Sequence, residues 1–296
     1  DNHALDSHEE LSELFGALEA KGVSVFIVPG NHDISMEEGY YGYRFTESGA
    51  VRAPDFFSVD DPIAEFKRIY NNYGYSEALS VKGLSYTANL GNHFRLIAID
   101  NCSSALTTET INWVKQELEK AKADGRKAIG MMHKPIDNIF GEFGKLAGLF
   151  TGGDFDGVTA NADKLKKALI EGGMEIIFTG HNHCNNKATL SDDEGRELQD
   201  IMTVSLTQYG NGYRYVRFSE NYTVCKINRI TSVNPAYLPS YLTPEDREAV
   251  MKNFEEYSKQ RLDKFIKAVI NRALNGLGEK ISAAAFGDNS KKDEIE

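Results

Sequence analysis

The chain of 296 residues is 41% hydrophobic and 26% charged, enough for a large core in one or two domains and far from the disordered range. Its net charge of −11 gives no general attraction for polyphosphate, which argues against non-specific nucleic-acid binding as the main role. No apolar run approaches the roughly 18 residues that span a bilayer. The three separated cysteines, Cys102, Cys184 and Cys225, form no CxxC pair, which argues against a thiolate zinc site or a disulfide framework.

The chain begins with Asp1 inside polar sequence that already leads into a helix, so it reads as a segment of a longer protein and its lack of targeting signals says little. Residues 7–20 form the first predicted helix, with Ser7 and Glu10 as a capping box and Leu11, Leu14, Phe15 and Leu18 on one face. Residues 23–28 (VSVFIV) follow, a continuous apolar run ending at Pro29-Gly30, which is how a strand buried on both faces reads. Similar runs occur at 94–99 (FRLIAI), 128–132 (AIGMM) and 175–178 (EIIF). Helices are predicted at 61–73, 108–123 and 162–171. Strands alternating with helices point to an α/β sheet layered by helices.

The pattern changes after Gly180. Residues 187–230 alternate with a period of two and read as an antiparallel meander, with turns at 192–195 and 209–212. Residues 231–243 read as a linker. Thr243-Pro244-Glu245-Asp246 is a helix start, and an apolar stripe about two dozen residues long runs on from Val250 through Ile270. The stripe is expected to dock on its own domain or a continuation of it rather than on a membrane, because the opposite face is mixed in sign. The expected organisation is a catalytic domain over 1–230, a linker over 231–243 and a helical extension over 244–296, with 289–296 solvated.

Three of the four parallel-type runs end in histidine clusters: Gly30-Asn31-His32-Asp33, His133-Lys134-Pro135 and Gly180-His181-Asn182-His183. The carboxyl ends of neighbouring strands in an open α/β sheet converge on one crevice, so four of the seven histidines are expected to meet there. Imidazole is a common ligand for zinc, manganese or iron, and an Asn carbonyl adds a hard oxygen. His181 and His183 are two residues apart and face opposite ways on an extended tip, which suits two metals better than one chelate. Taken singly, GNHD also reads as a polar turn and His133 as a satisfied strand-end residue. The three together are harder to explain structurally. His3, His8 and His93 are read as surface residues, and Cys184 as a small buried filler or a group behind the metal ligands.

In this order the motifs resemble the calcineurin-like metallophosphoesterase superfamily, over about residues 7–230. The stretches SHEELSELF, GVSVFIVPGNHDI, EFKRIYNNYGYSEAL, MMHKPI and DIMTVSLTQYGNGYRYVRF are similar to a bacterial phosphodiesterase branch with a helical C-terminal extension. The resemblance implies a sandwich of two mixed β-sheets flanked by helices, and hydrolysis of small phosphoric esters, diesters and cyclic nucleotides among them, by a hydroxide bridging two metal ions (manganese, iron or zinc). It makes Asn31, His133 and His181 ligands of the second metal and His183 a ligand of the first. His32 becomes the leaving-group acid, oriented by Asp33. It also implies an extracytoplasmic location, secreted or membrane-tethered.

This sequence departs from the family at its start. The D-x-H and G-D motifs that hold the first metal and bridge the pair are absent, and Asp1 falls in the polar turn after the expected G-D strand. The segment as written is therefore expected to be inactive alone. A phosphomonoesterase or nucleotidase is the enzymatic alternative, and a non-catalytic binding module is the other if the protein truly starts at Asp1. Lys134 reaches either a substrate phosphate or solvent. Residues 137–160, rich in Gly and Phe, form either a lid over the crevice or a surface excursion.

Overall fold

The structure is a computed structural model, and it describes residues 5–34, 42–46, 49–53, 62–103, 105–139, 141, 158–219, 223–238 and 242–286. Asp1, His3, most of the 137–160 stretch and the tail from 289 lie outside the described residues. The chain divides into two compact units, one of residues 1–137, 158–204 and 236–247, the other of 138–157, 205–235 and 248–296.

The first unit is built on a seven-stranded mixed sheet. Its strands are β3 (Ser80–Lys82), β4 (Ser85–Leu90), β5 (Phe94–Ile99), β6 (Lys127–Met132), β7 (Ile176–Thr179), β8 (Asn186–Ser191) and β9 (Glu197–Met202), in the spatial order β3-β4-β5-β6-β7-β9-β8. β5, β6, β7 and β9 run parallel, while β4 and β8 are antiparallel to their neighbours. Alternation along β5 divides the core in two. Ile97 and Ile99 join Ile111, Val114 and Leu118 of helix α3 (Thr108–Ala123) and Leu165 and Leu169 of helix α4 (Ala162–Glu171). Leu96 and Ala98 join an aromatic cluster of Phe66, Tyr70, Tyr73, Tyr75 and Tyr86. β5 is thus buried on both faces, which its unbroken apolar sequence requires. Helix α3 matches its predicted bounds because its signals are local: the Thr107 hydroxyl accepts the Thr110 amide at 3.2 Å, Glu109 opens it and Lys120 and Lys122 close it.

The sequence expectations need correction at the amino-terminal side. Among the described residues, 23–28 pair with no strand. They lie irregularly against the aromatic cluster, tied by the Ile27 amide to the Tyr73 carbonyl at 3.3 Å and by the Tyr86 hydroxyl to the Ile27 carbonyl at 2.9 Å. Helix α1 spans Leu5–Glu19, so Ser7 and Glu10 sit inside its first turns and not at its cap. Its predicted inward face is largely outward: Leu11, Leu14 and Leu18 are exposed, while His8, Ser12 and Phe15 meet the aromatic cluster. His8, read as a surface residue, is 3% exposed and its Nδ1 bonds the Tyr70 hydroxyl at 2.7 Å. Helix α2 (Pro62–Ile69) ends before its predicted limit, because Tyr73 and Gly74 leave helical geometry in a wide turn over Asn71–Tyr75.

The expected meander is two separate hairpins. β8 and β9 join the main sheet through β7, whereas β10 (Gly212–Phe218) and β11 (Thr223–Arg229) form a two-stranded sheet in the second unit. A further two-stranded sheet joins β1 (Gly42–Thr46) to β2 (Gly49–Ala53). The C-terminal stripe is likewise split, into α5 (Pro244–Lys252) and α6 (Phe254–Phe286), since the Asn253 side chain accepts the Glu256 amide at 3.1 Å and caps a new helix. Within the second unit the Asn211 side-chain oxygen accepts the buried Ser258 hydroxyl of α6 at 2.6 Å. Phe265, Ile266, Ile270 and Leu274 of α6 are exposed. Among the described residues no helix is long and apolar enough to cross a membrane.

Candidate metal centre

β6 and β7 lie side by side and parallel, so their carboxyl ends deliver the next residues to one place. The Gly180 amide bonds the His133 carbonyl at 2.9 Å, extending the pairing past the strand ends and setting His133 beside the GHNH tip. That tip turns sharply: His181 and His183 have φ of 68° and 52°, a left-handed region uncommon for residues other than Gly, Asn, Asp and His. The Asn182 amide turns back onto the Gly180 carbonyl at 2.8 Å, closing a three-residue turn centred on His181. The third contributor, the GNHD turn, closes on itself. The Asp33 amide donates to the Gly30 carbonyl at 3.1 Å, and the Gly30 amide to the Asp33 carboxylate at 2.7 Å. Gly30 passes so close to His133 that a Cβ there would lie 3.0 Å from the ring, so a glycine lets the turn reach the strand end.

Three side chains meet. The Asn31 Oδ1 lies 2.9 Å from His133 Nε2 and 3.2 Å from His181 Nδ1, and the two ring nitrogens are 3.2 Å apart. The rings cross edge to face with centroids 5.1 Å apart. His32 and His183 are exposed, yet each acts electrostatically on the cluster: His183 depresses His32, and both depress His133. Burial is the larger cause in each case. Together with its neighbours it pulls the His133 pKa down to about 3, leaving the ring neutral at neutral pH. Burial also pushes the Asp33 carboxyl upward, against the Gly30 amide bond that favours the anion.

The chemistry of this donor set fits a divalent cation. An amide oxygen and unprotonated imidazole nitrogens are uncharged ligands, and the spacing of the three atoms matches the roughly 3 Å between neighbouring donors around a cation with bonds near 2.1 Å. Among the described residues no group of three or more His, Cys, Asp and Glu side chains could hold a metal ion. The converging trio includes an asparagine, and His183 stands outside it.

Sequence reasoning missed the residues that hold the backbone around the trio. Asn101, just past β5, donates its side-chain amide to the Lys134 carbonyl at 2.8 Å and accepts the Lys134 amide at 3.2 Å. Asp200 of β9, 2% exposed, accepts the Ile136 and Asp137 amides at 2.8 and 3.0 Å and the Thr179 hydroxyl at 2.6 Å. A partial signal was present, since Asp200 lies between Leu198 and Ile201-Met202, the apolar residues of the strand. Cys184 is half-buried with its thiol 3.4 Å from the Met202 sulfur, a packing contact in keeping with the filler reading.

A family model, calcineurin-like phosphoesterase, matches residues 2–185. Among solved structures the chain is similar to a dimetal phosphatase from Danio rerio, at 13% identity and a TM-score of 0.45, with 75% of each chain covered. It is also similar to a purple acid phosphatase from seeds of yellow lupin (Lupinus luteus), at 13% identity and a TM-score of 0.39, covering 68% of this chain and 34% of that one. No curated protein sequence matches it.

Proposed function

Since the chain belongs to the calcineurin-like phosphoesterase family, a family of metal-dependent phosphoester hydrolases, we propose that it acts on small phosphodiesters, cyclic nucleotides among them. The observation that carries the metal-dependent reading is the convergence of Asn31, His133 and His181 within 3.2 Å of one another. The preference for diesters over monoesters rests on the likeness of SHEELSELF, MMHKPI and DIMTVSLTQYGNGYRYVRF to a bacterial phosphodiesterase branch.

Asn31, His133 and His181 would hold one metal ion, and His183 is this chain's candidate for a second. When bound, such ions neutralise phosphoryl charge and acidify water. The chain's own residues supply the rest. His133 is kept neutral chiefly by burial, the form in which an imidazole can serve as a metal ligand. Asn31 can turn its amide N–H toward a phosphoryl oxygen while its carbonyl faces the ring nitrogens. His32 is exposed beside the cluster and suits proton delivery to the departing oxygen. Its pKa lies below the ordinary value, through burial first and His183 second, and the negative charge of an arriving phosphate acts in the opposite direction.

Hydrolysis of bis-p-nitrophenyl phosphate and p-nitrophenyl phosphate, followed side by side in manganese, tests the assignment. Faster diester turnover that disappears in His133→Ala is expected. Faster monoester turnover would make the protein a monoesterase, and turnover indifferent to His133→Ala would remove this site from the chemistry.

A further inference from the structure

Asp200 plays no part in the chemistry above, although a buried carboxylate needs several donors to stay in place. Its three partners are not scattered. Ile136 and Asp137 follow His133 by three and four residues, and Thr179 precedes His181 by two. One carboxylate therefore grips the chain leaving β6 with Oδ2 and the last residue of β7 with Oδ1. The grip falls just past a short pairing: β6 pairs with β5 at six registered positions but with β7 at only two.

We infer that Asp200 is a positioning residue that sets the spacing of His133 and His181, and so the metal affinity of the trio. The inference rests on reading those histidines as ligands. Groups that orient metal ligands from behind typically change affinity by about 10- to 100-fold when removed. A packing role alone would lower stability and leave the affinity of the folded protein unchanged.

The test is calorimetric titration of the chain with manganese, at a temperature where each variant is folded. Asp200→Asn, which cannot accept from the two amides and from the Thr179 hydroxyl at once, is expected to bind about 10- to 100-fold more weakly. Thr179→Val is expected to lose several-fold and Thr179→Ser, which keeps the hydroxyl, to stay near wild type. Glu117→Gln is the control, since Glu117 is also buried and bonded by a threonine hydroxyl and a lysine but lies in α3. It should lose stability and keep its affinity. Wild-type affinity in folded Asp200→Asn overturns the inference. If that variant does not fold, the Thr179 pair decides by the same criterion. If the wild-type chain takes up no manganese, the ligand reading fails separately, and imidazole nitrogen spectra decide the role of Asp200. Displacement of both the His133 and His181 signals in Asp200→Asn and Thr179→Val, but not in Thr179→Ser or Glu117→Gln, supports it; unmoved signals overturn it.

Discussion

His133 and His181 leave the ends of paired strands, whereas Asn31 leaves a segment that joins no ladder among the described residues. Behind His133, β6 buries Ile129 and Met132 and is registered against β5 over its whole length. Behind Asn31, residues 23–30 are tied at Ile27 to Tyr73 and Tyr86, and Val25 through Val28 rest half-buried on the aromatic cluster. Segments with few cross-strand bonds open at lower free energy than paired core strands. The trio is thus assembled from two rigid contributors and one softer one, and a bound cation would stabilise the soft contributor most.

The largest effect should come from a rigid contributor. His133→Ala removes a buried neutral imidazole and is expected to weaken manganese binding by at least about 100-fold, measured calorimetrically. Asn31→Ala removes an oxygen that water can replace on the softer side, and about tenfold is expected. Equal losses would mean that the two sides are held alike.

Next is the packing between the rigid strands. A Cβ on Gly130 would lie 2.6 Å from Ile177 Cγ1 and 2.8 Å from Met174 Sδ. Gly130→Ala should cost about 1–3 kcal/mol in urea unfolding. It should also loosen His133 and His181 together while sparing the Ile27 contacts.

The contrast also has a pH signature in chelator-treated protein. The His133 pKa is about 3 when folded against 6.5 for an ordinary histidine. A depressed pKa means that the unfolded chain takes the proton first. The stability it contributes is therefore present above about 6.5 and is lost as pH falls toward 3, with a slope approaching roughly 1.4 kcal/mol per pH unit. Asp33 and Asp200 act in the opposite sense: burial raises them, so their contribution is present at low pH and fades as pH rises through their raised values. Subtracting the urea-derived stability curve of His133→Gln from that of wild type isolates the histidine. A flat difference between pH 4 and 6 would show that His133 is not held neutral.

The same contrast explains what the sequence could and could not disclose. The runs that became β5, β6 and β7 were legible within a residue, because burial on both faces demands unbroken apolar sequence and helix α3 between β5 and β6 carries a local cap. The meeting of His133 and His181 was legible because parallel neighbours end side by side. The run at 23–28 has the same composition and a different outcome, for apolar content specifies burial and not a hydrogen-bonding partner. His8 was misread for a related reason: its partner Tyr70 lies 62 residues away, and nothing near His8 announces it. Asp200 and Asn101 escaped because a polar residue in or just past a strand acquires meaning only when the loop it bonds is known. The break at Asn253 was within reach, since Asn is a strong N-cap, but the continuous apolar stripe hid it.

The smallest effect tests the soft contributor alone. The Tyr86 hydroxyl bonds the Ile27 carbonyl at 2.9 Å from a ring that is fully buried in the sheet, so it is a direct link between the core and the segment leading to Asn31. Tyr86→Phe keeps the ring and removes the bond, which should cost about 1 kcal/mol. If the segment opens on its own, hydrogen exchange at the Ile27 amide will accelerate while amides of β6 keep their protection. Manganese binding will weaken a few-fold, because the cation must then order a looser Asn31. If the exchange of β6 rises in step with Ile27, the segment and the sheet unfold as one, and the division between rigid and soft contributors fails.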